Sequence, residues 1–84
     1  MTTQVQGKAV HKISNRGHRA VVVVLEPWGG EYDIEPHQAL ELVVEGNLGA
    51  PLEIEIEVDE NRLTIISDGP LLTITRDGKQ VVAR

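Results

Sequence analysis

At 84 residues with a formal charge of −5, the chain is sized for one domain, residues 1–84, and lacks the basic face that nucleic acid or an anionic membrane surface requires. Without cysteine it can form neither disulfides nor thiolate metal sites, and without phenylalanine its core must come from Val, Ile and Leu. No apolar run approaches the ~18 residues of a membrane span, and Met1-Thr2-Thr3 opens no apolar leader, so a soluble cytoplasmic protein is expected.

In chain order, residues 1–4 read as a flexible terminus. Residues 5–14 form a first strand, with Gly7 as a candidate bulge, and Asn15-Arg16-Gly17 is a tight turn into a hairpin partner that begins near His18. Ala20-Val21-Val22-Val23-Val24-Leu25 is the most apolar run and suits a strand buried on both faces, flanked by Arg19 and Glu26 as guards against self-pairing. Pro27 cannot donate to a ladder and Gly29-Gly30 relieves backbone sterics, so residues 20–34 are expected to bend and pass from one sheet to the facing one.

Glu35-Pro36-His37-Gln38 is a turn with Pro at its second position, followed by a strand over 39–45 with Leu40, Leu42 and Val44 on one face. A helix competes over 38–42, but Val43-Val44 and the nearby Gly46 favour the strand. Residues 46–51 are the longest loop. Leu52-Glu53-Ile54-Glu55-Ile56-Glu57-Val58 alternates strictly, which turns Leu52, Ile54, Ile56 and Val58 inward and the three glutamates to water, with Arg62 or Lys79 as cross-strand partners. Asp59-Glu60-Asn61 turns into a strand over 62–66, and Asp77-Gly78 joins the last hairpin between β-prone runs. Seven to eight short strands at this spacing predict an all-β fold, a small antiparallel β-sandwich or partly open barrel.

Three clusters compete for a functional role. Glu26, Trp28, Glu31, Tyr32 and His37 lie close in sequence and could line a ligand pocket, although a single Trp in a chain without Phe reads more readily as a plug closing one end of the core. His11, His18 and His37 match no metal-ligand spacing, so no metal or cofactor is expected. The glutamate row lacks the Asp-rich loop of a calcium site and reads as a solvated face. No nucleophile elbow, cysteine nucleophile or phosphate loop is present, which argues against an enzyme. Val22 and Val24 point opposite to Val21, Val23 and Leu25. A two-layer sandwich covers only one of those faces, so the N-terminal segment, a loop or another copy must cover the second. An interface is expected, assigned to Val21, Val23 and Leu25, and with it a homo-oligomer, most simply a dimer.

Leu25-Glu26-Pro27-Trp28-Gly29-Gly30-Glu31-Tyr32, followed by Ile34-x-Pro36 and Leu40-x-Leu42, resembles small uncharacterised bacterial proteins with an E-P-W-G-x-x-Y…P motif, over about the central two-thirds of the chain. The resemblance implies a β-sandwich and brings no activity. Those proteins carry Pro-Gly where this chain has Pro36-His37, which implies a slightly different turn. Likeness to cupredoxins extends only to strand pattern, with no Cys for copper. The leading reading is a non-catalytic module acting through protein–protein interaction or self-assembly. The alternative is a cupin-like sandwich that binds a small ligand or metal at the Trp28/Tyr32/His37 corner.

Overall fold

A computed structural model describes residues 6–84, so the flexible terminus expected at 1–4 lies outside the described residues. Among the described residues there are eight strands: β1 (Gln6–Ser14), β2 (Val21–Glu26), β3 (Gly30–Ile34), β4 (Ala39–Asn47), β5 (Leu52–Glu57), β6 (Arg62–Ser67), β7 (Leu71–Arg76) and β8 (Lys79–Gln80). They form two four-stranded sheets, ordered β1-β4-β7-β8 and β3-β2-β6-β5. The all-β sandwich expected from the strand spacing is the fold observed.

Alternation decides what each strand contributes to the core. On β4, Leu40, Leu42 and Val44 face inward beside Leu72 and Ile74 of β7. Across the gap stand Val23 and Leu25 of β2, Ile34 of β3 and Ile65 of β6. Residues directly opposite in a pair share a face, so the registers Val44↔Leu72, Leu42↔Ile74 and Leu25↔Ile65 assemble these side chains into one cluster. Each fully buried Leu, Ile or Val contributes roughly 1.5–3 kcal/mol of transfer free energy. Aliphatic side chains thus make up the buried cluster of a chain that has no Phe, with Tyr32 packed against it.

Two connections differ from expectation. Residues 20–34 do not pass between the sheets: β2 and β3 are an antiparallel hairpin within one sheet, paired from Val21↔Ile34 to Leu25↔Gly30. Pro27, Trp28 and Gly29 form its turn, with Gly29 at φ +75 and its amide bonded to the Leu25 carbonyl at 2.6 Å. The proline that cannot join a ladder ends the strand, and the glycine supplies the positive φ needed to reverse it. The first passage between the sheets falls instead at residues 15–20, because β1 pairs with β4 and not with β2. The crossover leaves β2 and β6 side by side and parallel, the one parallel pair among the described residues.

Other local expectations hold or shift slightly. β1 shows no bulge at Gly7, which pairs in register with Gly46. The strand over 39–45 runs on to Asn47 and shortens the following loop. The Glu35-Pro36-His37-Gln38 turn closes through Gln38 N to Glu35 O at 3.0 Å, with His37 at φ +66. His37 therefore takes the positive φ that the third position of a type II turn requires. Asp77 (φ +52) and Gly78 (φ +80) have positive φ at both central positions, as a type I′ hairpin requires.

Candidate interaction surface

The two lateral sides of the sandwich are built differently. At the β8/β3 side the C-terminal segment crosses between the layers. The Val81 amide bonds to Ile74 O at 3.0 Å and the Arg84 amide to Glu31 O at 2.9 Å, while Val81 packs on the core. Arg84 adds ion pairs to Asp33 at 2.9 Å and Glu31 at 3.3 Å. That side is closed.

The β1/β5 side is open. Ile54 pairs with Ile65 and Ile56 with Leu63, so both isoleucines point to the core side of β5, as the alternation predicts. Yet Ile54 is 57%, Ile56 69% and Val58 74% exposed. Of the residues expected inward, Leu52 packs on the core, the two isoleucines are right in direction and wrong in depth, and Val58 falls in the turn after β5. The reason lies on the facing sheet, which ends at β1. The core-facing row of β1 is Gly7, Ala9, His11 and Ile13, set by the partners Gly46, Val44, Leu42 and Leu40. Sheets pack about 10 Å apart, and a gap that wide is filled only when large side chains come from both faces. Gly7 and Ala9 cannot reach across it.

A window results, framed by β1, β5, the crossover loop 15–20 and the β4–β5 loop 48–51. At its lower end lies a cleft of about 290 Å³ with Ile13, Val21, Ile34, Ile56, Val58 and Leu63 as its apolar lining. Asn15, Arg16, Glu57, Asn61 and Arg62 form the polar rim. Among the described residues, β1 has only β4 as a strand neighbour and β5 has only β6. Each strand therefore presents one row of backbone N–H and C=O groups to the window.

The Asn15 side chain holds the crossover loop in place, and sequence reading passed it over as an ordinary turn residue. Its amide nitrogen donates to Arg19 O at 2.7 Å and Ile34 O at 2.8 Å, its oxygen accepts from Gly17 N at 2.9 Å, and it is 6% exposed. The backbone joins in: Asn15 N donates to Gln38 O and His37 N to Asn15 O, both at 2.9 Å. Asn15-x-Gly17 was the one available signal, because an Asx turn needs this side chain to bond the amide two residues on.

Glu41 is a second residue whose role only the fold reveals. Its carboxylate accepts from Thr75 Oγ1 at 2.9 Å, Gly78 N at 3.1 Å and Asp77 N at 3.3 Å, clamping the β7–β8 turn. The Gly78 amide above all, then the Thr75 hydroxyl, holds its pKa below the ordinary glutamate range.

The ligand corner read from sequence does not assemble. Trp28 sits 50% exposed at the tip of the β2–β3 turn, so it neither plugs the core nor lines a pocket with the others. Tyr32 faces inward opposite Val23, whereas Glu31, opposite Val24, is on the outer face with Glu26. His37 lies beyond the far end of β3, five residues or about 16 Å along the strand from the Trp28 turn. Proximity in sequence failed because a hairpin alternates its faces and separates its ends. Among the described residues, no three His, Cys, Asp or Glu side chains group closely enough to hold a metal ion.

The interface residues read from sequence are displaced as well. Val23 and Leu25 are buried against the chain's own second sheet, at 0% and 2% exposure, and Val21 borders the cleft. On the outer face of β2, Val24 is covered within the chain. Arg62 of β6 reaches over β2 to Glu31 of β3 at 3.8 Å, and Val24 beneath this span is 3% exposed. Arg62 stands opposite Glu57 in the β5–β6 register but makes its ion pair with Glu31, and Lys79 belongs to the other sheet.

No helix among the described residues is long and apolar enough to cross a membrane. Comparison with protein-family models, with curated proteins and with solved structures yields no match.

Proposed function

We propose that the chain is a non-catalytic interaction module whose working surface is the open window between β1 and β5. One observation carries the reading: Ile54 and Ile56 stand more than half exposed on the core-facing side of an edge strand, with Val58 equally exposed in the turn that follows it. Contiguous apolar surface beside unpaired strand edges is the composition of a protein-docking site. Covering the strip removes apolar area from water at roughly 25 cal/mol per Å², and a partner strand satisfies the free backbone row in the same step. The carboxylate best furnished with hydrogen-bond donors, Glu41, is occupied by a turn, which accords with a structural role for that group.

A photo-crosslinking amino acid at Ile56, in cells expressing the chain, tests this. An adduct heavier than the 9.2 kDa chain is expected, with none from the same probe at Asp68 in the exposed β6–β7 turn. Only uncrosslinked chain from both positions would remove the proposal.

A further inference from the structure

Charge on the two edges of the window says what covers it. The first acidic residue of the chain is Glu26, so residues 1–25 carry Lys8, Lys12, Arg16 and Arg19 and a formal charge of +4. The remainder, with thirteen acidic and four basic residues, carries −9, and the two sum to the overall −5. The fold places this asymmetry on opposite edges of one opening. β1 presents Lys8 and Lys12 with no acidic residue, whereas β5 and the turn after it present Glu53, Glu55, Glu57, Asp59 and Glu60 with no basic one. No ion pair found among the described residues involves Lys8 or Lys12.

We infer that the occupant of the window is a second copy of this chain, docked so that β1 of each copy pairs with β5 of the other. The inference rests on the interaction-module reading above and names its partner. Pairing β5 with β5 would set glutamate rows side by side, and pairing β1 with β1 would do the same with lysines; like charges directly opposed destabilise a strand pair. Only β1 against β5 joins opposite charges. Symmetry then permits both contacts at once. A two-fold axis running along the strands exchanges the upper and lower layers, so the β1 edge of one copy meets the β5 edge of the other in each layer. The contact closes on itself, as a dimer interface must. Each sheet continues into its neighbour's, no edge is left at the window, and the Ile54 and Ile56 rows of both copies converge on the axis, beside the Leu48 side chain that packs against Gly7.

The test is mass by light scattering on a sizing column across the micromolar range. The unmodified chain runs at twice 9.2 kDa, and added salt shifts it toward the single-chain mass, since the pairing charges are at the surface. E53K/E55K/E57K gives two basic edges and runs as a monomer; K8E/K12E gives two acidic edges and does the same. An equimolar mixture of the two variants regains the double mass, because each now supplies the edge the other lacks. K8E/K12E sets glutamates opposite Glu45 and Glu41, so circular dichroism checks its fold, and the neutral K8Q/K12Q, free of that repulsion, weakens the dimer on its own. A single-chain mass for the unmodified protein throughout the range overturns the inference, as does a mixture that stays monomeric. In either case an adduct between the Ile56 probe and a different protein leaves the module reading standing. The absence of any adduct removes both.

Discussion

Asn15 and Trp28 show how poorly residue type ranks importance in this chain. Asn15 uses both amide protons and its oxygen in a buried site, so Asn15→Ala removes three hydrogen bonds and strands two carbonyls. At about 1 kcal/mol per bond the cost is roughly 2–4 kcal/mol, read as a lower urea midpoint with an unchanged slope. Trp28, half exposed at a turn, should show red-shifted emission open to acrylamide quenching, and Trp28→Ala should cost under about 1 kcal/mol. Blue-shifted, quencher-resistant emission would restore the plug. Glu41 gives a pH signature. Its folded pKa lies below its unfolded value, so its contribution is fully present above the unfolded pKa, near 4.3, and is lost as pH falls through the folded pKa. The stability gap between the chain and Glu41→Gln should therefore be present at neutral pH and shrink on acidification, as urea titrations across that range would show.

Among the elements, β5 and β6 carry the same alternating pattern and differ because of position. β6 is central and its Ile65 is 1% exposed, whereas β5 is an edge. Ile65→Ala should cost about 2–5 kcal/mol through lost burial and a cavity. Ile56→Ala, at a site 69% exposed in the single chain, should cost well under half of that in dilute solution. Chemical denaturation of the two variants side by side decides it, and equal costs would mean that β5 is buried in the single chain after all. The periods of 39–45 and 52–58 were plain from sequence, as was the Asp77-Gly78 hairpin, because both signals are local. The pairing of β1 with β4 was not, since Asn15-Arg16-Gly17 looks like a hairpin turn until β4 competes for β1.

For the whole molecule the contrast is between a closed flank and an open one. Residues 81–84 bond to both layers at β3, whereas at β5 the layers are joined by the β4–β5 loop, with Leu48 packed on the core beside Gly7. If a second copy closes the window, folding is linked to association, and the thermal midpoint must rise with protein concentration by mass action. A midpoint independent of concentration across the micromolar range would speak for a chain that folds to completion alone.

The amino-acid order by itself determined the class of fold, the strand positions and the direction each side chain takes from its strand, because alternation and turn chemistry act over a few residues. Tertiary structure alone decided which strands neighbour one another, that the Trp28 turn and His37 end at opposite poles, and which aliphatic rows meet a facing sheet. Those outcomes depend on competition among pairings far apart along the chain, and on whether side chains large enough to span the gap stand opposite, as they do for Ile65 and do not for Ile56.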